Sequence, residues 1–180
     1  MTMVNLLRLG QGMMALAVLL SAAGWIGFTL EGEVNDVPTP NFPDRSFFAD
    51  DPLPEQVLAP FLTAELTLTW DRDDVYAVIV DEDEKNTCEA TPAGLAQNSG
   101  TNSCGPYDAD IVAISDNGNE GLVWTVESGV YYVGVGTAGS GLPEGSEVNM
   151  AYEVHLQAGF GSFFVFASIG VVGFAMTRSE

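Results

Sequence analysis

The side chains in this sequence best equipped for chemistry are carboxylates. Asp71, Asp73 and Asp74 stand together in "WDRDDVY", Asp116 and Glu120 in "SDNGNEG", and residues 81–84 read "DEDE". Hard cations such as calcium take several oxygen ligands, so the specific chemistry on offer is a calcium site built from Asp71, Asp73, Asp74, Asp116 and Glu120. The plainer reading is a solvated charge run, because "SDNGNEG" does not match the twelve-residue calcium loop. No other cofactor is implied. His155 is the one histidine, and it sits on the polar side of an alternating segment, where a surface role is the ordinary one. Tyr131 and Tyr132 in "VYYV" read as strand packing. Catalysis would need partners that are missing: the chain has no Ser/His/Asp order, phosphate loop, zinc spacing or nucleophile elbow. An enzyme is therefore not expected.

Cys88 and Cys104 are the only cysteines. Two thiols are too few for a metal, and a catalytic cysteine would need a basic partner, for which His155 is the one histidine. In an oxidising compartment their default state is a disulfide. It would close the loop "EATPAGLAQNSGTNS", for about 3 kcal/mol in the chain-entropy model.

Charge narrows the partners. Five Lys and Arg face 25 Asp and Glu, for a formal charge of −20. Between Glu31 and Glu153, 24 acids meet only Arg45, Arg72 and Lys85, which leaves −21 on that segment. Such a surface repels nucleic acid and anionic headgroups and suits a saline medium, a basic partner or divalent cations.

The elements that position these residues begin with two charge-free runs. Residues 9–30 and 158–177 are 22 and 20 residues long. Each would be about 30 Å as a helix, the thickness of a hydrocarbon core. Arg8 precedes the first run and Arg178 follows the second. The positive-inside rule then puts residues 1–8 and the tail 178–180 in the cytoplasm and residues 31–157 outside. The first run has a rival reading as a signal peptide cleaved after Ala23. A retained anchor is preferred because "GWIGFTL" keeps the run apolar past that site. Ala17/Ser21 and Ala23/Gly27 have the small-xxx-small spacing that lets helices approach.

Residues 31–61 hold six of the nine prolines and read as an acidic extended linker, since Pro removes a backbone donor. Phe42, Phe47, Phe48 and Phe61 are candidates to tack it onto the domain. Residues 62–157 alternate. "AELTLTW" places Leu66, Leu68 and Trp70 on one face, and "EVNMAYEVHLQ" places Val148, Met150, Tyr152, Val154 and Leu156 on one face. Between them come "VYAVIVD", "ADIVAIS", "GLVWTVE" and "GVYYVGVGT", separated by turn-rich spacers. The expected fold is all-β: an antiparallel, jelly-roll-like β-sandwich flanked by two transmembrane helices. If successive strands alternate in direction, residues 71–74, 117–120 and 138–146 meet at one membrane-distal tip. "DEDE" and the cysteine loop then lie nearer the bilayer.

"ELTLTWDRDDVYAVIVDEDE", "ESGVYYVGVGT" and "AYEVHLQ", within residues 65–157, resemble the bacterial and archaeal pre-peptidase C-terminal domains. Those are small jelly-roll-like sandwiches with an acidic turn before an early strand. The layout is also similar to the lumenal domains of vesicle cargo receptors, without their long coiled coil. Both resemblances imply binding or assistance rather than catalysis. The expectation is a membrane-anchored extracytoplasmic domain that binds a membrane or secreted protein. The alternative is a calcium-dependent ligand or glycan binder using the acidic loops.

Overall fold

The computed structural model describes residues 3–41, 45–90, 105, 110–138 and 142–178. In chain order the elements are α1 (Met3–Ile26), β1 (Phe28–Pro38), β2 (Ser46–Phe48), β3 (Leu62–Trp70), β4 (Val75–Asp81), α2 (Glu82–Ala90), β5 (Ala113–Ser115), β6 (Leu122–Thr125), β7 (Tyr131–Thr137), β8 (Glu147–Ala158) and α3 (Phe160–Arg178). They form two compact units. One comprises Met1–Leu30, Leu58–Ala64 and His155–Glu180, and the other Glu31–Val57 and Glu65–Val154.

The first unit is built on α1 and α3. Leu6–Ile26 and Phe160–Arg178 are long and apolar enough to cross a membrane, by length and composition. The helices approach through small residues. A Cβ on Gly10 would lie 2.6 Å from the Gly173 carbonyl of α3, and one on Gly24 would lie 3.4 Å from the Phe166 ring of α3 and 2.6 Å from the Ala158 Cβ at the end of β8. Ala17, midway between them, is buried and faces Gly170. Gly10, Ala17 and Gly24 thus form the stripe, and Ala17, one of the residues expected at the contact, belongs to it. Helix α1 stops at Ile26, not at Leu30 as the apolar run suggests. Gly27 takes a left-handed φ of 70° and donates its amide to the Ala23 carbonyl at 3.0 Å, a C-terminal cap that favours glycine. The start of α3 is tied down by the preceding chain. The Gly161 amide donates to the Pro60 carbonyl at 2.8 Å, and the Ser162 hydroxyl to the Phe61 carbonyl at 2.7 Å.

The second unit holds two four-stranded sheets, ordered β1-β8-β3-β6 and β2-β7-β4-β5. The registers of β3–β6, β2–β7, β4–β7 and β4–β5 are all antiparallel. One core joins both sheets: Leu66, Leu68, Trp70, Leu122, Trp124, Val148 and Met150 from the first, Val75, Ala77, Ile79 and Val135 from the second. The period-two readings of β3 and of the first half of β8 are therefore correct.

Two stretches form elements that were not foreseen. The proline-rich stretch supplies strands β1 and β2, each at the edge of its sheet, where Pro is tolerated and Pro38 can close β1. And the charge run "DEDE" opens a helix: the last nine residues of "DEDEKNTCEA" form α2. Asp81 caps this helix by accepting the Glu84 amide at 2.8 Å. Glu82, Asp83 and Glu84 occupy the first turn, where the helix dipole favours acids. Helix α2 lies against β4 and β7. Lys85 stacks on the Tyr132 ring at 3.9 Å and donates to the Ala49 carbonyl at 2.9 Å. That cover explains why β4 is buried on both faces, Tyr76, Val78 and Val80 as well as Val75, Ala77 and Ile79.

Candidate functional site

The acidic tip expected from strand parity forms within the second unit. The Trp70 amide donates to the Gly118 carbonyl at 3.2 Å, and the Ala138 amide to the Asp74 carbonyl at 2.9 Å. These bonds tie the 71–74 turn to the turns on either side of it. In the 117–120 turn the Asn117 side-chain oxygen accepts the amides of Asn119 and Glu120 at 3.1 and 3.2 Å. Gly121 closes that turn with a φ of 78°.

The five candidate calcium ligands share this end without forming a ligand set. Asp71 accepts the Asn149 backbone amide at 3.0 Å and its side-chain amide at 2.8 Å. The side-chain bond, then the backbone one, hold its carboxyl below the usual value. Asp74 is gripped by both arms of the Arg72 guanidinium at 2.9 Å each. Arg72 lowers the Asp74 carboxyl, and its own proton is held more firmly in return. Asp73, Asp116 and Glu120 are exposed. Among the described residues no group of three or more His, Cys, Asp or Glu is gathered to hold a metal. Two carboxylates read as ligands thus serve as acceptors that join the 71–74 turn to β8 and brace it internally.

Cys88 is buried on α2, with its sulfur 3.3 Å from Glu84 Oε1. Cys104 and most of the intervening loop lie outside the described residues. His155 is half-buried, with Nδ1 3.0 Å from the Thr29 hydroxyl. Tyr131 packs edge-to-face on Trp124 at 4.8 Å, as expected of a packing residue.

A feature that sequence reading missed is a cavity of about 710 Å³ between the two sheets. Leu66, Leu68, Val135 and Met150 line it from the core, and Val34 and Val37 from β1. Those two are three residues apart, so regular alternation would send them to opposite faces. Asp36 between them has a φ of 59° and donates its amide to the Asn149 side-chain oxygen at 3.2 Å. This is the geometry of a β-bulge, which returns Val37 to the inner face. The Val-x-x-Val spacing was the available signal for this break in alternation, though not for the cavity.

No family model matches the chain, and no curated protein matches it. Among solved structures it is similar to a chain from the structure described as "Bacillus endospore appendages form a novel family of disulfide-linked pili". The identity is 10%, over 76% of this chain and 94% of that one, with a TM-score of 0.30. At that score the similarity carries no argument about fold or function.

Proposed function

We propose that the chain is a membrane-anchored, extracytoplasmic β-sandwich that serves as a protein-binding or assembly module of a membrane or envelope complex. In this reading α1 and α3 span the bilayer, both ends are cytoplasmic, and residues 31–157 face out. The observation that carries it is the contrast between the units. Apolar side chains stand exposed on the helices, Trp25 at 76% and Phe160 at 86%, while the sheet unit carries nearly all the charge. Lipid accepts that apolar surface where water would not. Binding rather than catalysis is supported at the tip. There Asp71, Arg72 and Asp74 are spent on bracing, and exposed Asp73, Asp116, Glu120 and Glu144 are presented on turns of a packed scaffold. No specific observation favours the calcium-dependent alternative.

The same compartment implies the Cys88–Cys104 bridge, and the finding that no cysteine is free among the described residues supports it.

Affinity purification of the full chain from membranes in mild detergent tests the reading. A protein partner should co-purify, and it should be lost when Asp73, Asp116, Glu120 and Glu144 are neutralised together. Recovery of the chain alone, with or without those changes, would contradict it.

A further inference from the structure

The side of the sheet unit where β1 and β2 form the edges is left open by its own side chains. The register pairs Phe47 with Val135 and Gly134 with Phe48. Phe47 therefore shares the inner face with Val135, a core residue, whereas Phe48 points to the α2 side. An inner-face aromatic should be covered, yet Phe47 is 44% exposed. On the facing sheet Val34 is 50% exposed and Tyr152, which packs over Gly32, is 39% exposed. All three line the cavity of about 710 Å³. Together they form its rim, and Leu68, Val135 and Met150 lie deeper.

The volume falls in the range of sites for drug-sized ligands, and the lining is as apolar as such sites are. The lining also sets the ligand's charge. Among the described residues Asp50 is the one acidic residue on it, and no Lys, Arg or His lines it. Arg72 is paired with Asp74, and Lys85 is engaged by Tyr132 and the Ala49 carbonyl. Arg45 precedes β2 but does not line the cavity, so an anionic headgroup would enter an acidic domain and meet no cation on the described lining. We infer that this cavity binds an uncharged, hydrocarbon-rich molecule of lipid type, with its chain on Leu68, Val135 and Met150 and its end at the Val34–Phe47–Tyr152 rim. The inference is separate from the protein-partner reading, and either can fail alone.

The test uses the full chain in lipid nanodiscs with an uncharged long-chain alkyl diazirine and a carboxylate-headed probe of equal length. After irradiation, labelled peptides are mapped by mass spectrometry, and labelling of α1 and α3 serves as the internal control. The neutral probe should saturably label the segments carrying Val34, Phe47 and Met150, at about tenfold the level of the carboxylate probe. Ala49→Trp puts an indole at the cavity wall, and Val34→Asp puts a charge at its exposed rim. Either should cut the neutral labelling by about tenfold while leaving the helix labelling unchanged. If the tryptophan variant fails to fold, the aspartate variant at an edge position decides. Equal labelling by the carboxylate probe, or labelling confined to the helices, would overturn the inference. So would a native mass of two copies that Val34→Asp returns to one, because a second chain would then cover the rim.

Discussion

Replacing Asp71 with alanine should destabilise the sheet unit, although Asp71 is exposed and stands in a run that looks like loose surface charge. The change removes the acceptor for two Asn149 donors, at 3.0 and 2.8 Å, and so unties the 71–74 turn from β8. Hydrogen bonds to a charged acceptor contribute about 1.5–3 kcal/mol, and exposed charged pairs about 0.2–1 kcal/mol. Solvent exposure places this site toward the lower range, at about 1 kcal/mol in total. For a domain of this size that corresponds to a fall of about 4 °C in apparent Tm. Tryptophan emission during heating is a suitable assay, because Trp70 and Trp124 are buried in the core. Asp73→Ala, in the same run but not bonded to Asn149, should shift stability by less than about 0.5 kcal/mol. The pH dependence follows from the direction of the shift. The folded-state pKa of Asp71 lies below its ordinary 3.8. Its contribution is therefore complete above that value and is lost as pH falls through the depressed one, so wild type and Asp71→Ala should converge in strong acid. Equal melting of the two proteins at pH 7, or a deficit that persists undiminished at low pH, would refute the bracing role.

Three further outcomes follow from the same packing. Gly136→Ala would drive a methyl into the ring of buried Tyr76 and should cost about 1–3 kcal/mol in denaturant unfolding; a neutral effect would contradict the assigned face. Sodium and potassium chloride should raise Tm alike by screening the −21 segment, and millimolar calcium over high salt should add nothing. A calcium-specific rise that disappears in Asp73→Asn would instead restore the calcium reading. Non-reducing mass spectrometry should find the Cys88 and Cys104 peptides joined and lighter by two hydrogens, and ready alkylation of Cys88 in the native protein would exclude the bridge.

Much of the sheet unit is legible in the sequence, because burial on one side imprints a period of two. Leu66, Leu68 and Trp70 mark the inner face of β3, and Val148 and Met150 mark that of β8. Strand parity alone was enough to bring the 71–74 turn to the 117–120 turn and to Ala138. Strands β1 and β2 were not legible. As edge strands their pairing depends on β8 and β7, and the bulge at Asp36 breaks the alternation that would reveal β1. Helix α2 was hidden for a different reason. Asp81 through Glu84 carry a capping signature, Asp-x-x-Glu, but four acids in a row also look like a solvated turn. The cavity was beyond reach, since it depends on which inner-face residues lack a neighbour across the gap. At the tip, residue type suggested ligands for a cation, and only Arg72 and Asn149, brought in by the fold, show what Asp74 and Asp71 do.

The central claim is topological, and protease protection tests it most directly. The full chain carrying a C-terminal tag is exposed to protease in sealed, right-side-out vesicles, with detergent-opened vesicles as the control. If α1 and α3 span the bilayer with both ends inside, residues 31–157 are digested and the tag survives until detergent is added. A tag lost from sealed vesicles, or a 31–157 segment that stays intact in them while detergent exposes it, would contradict the account.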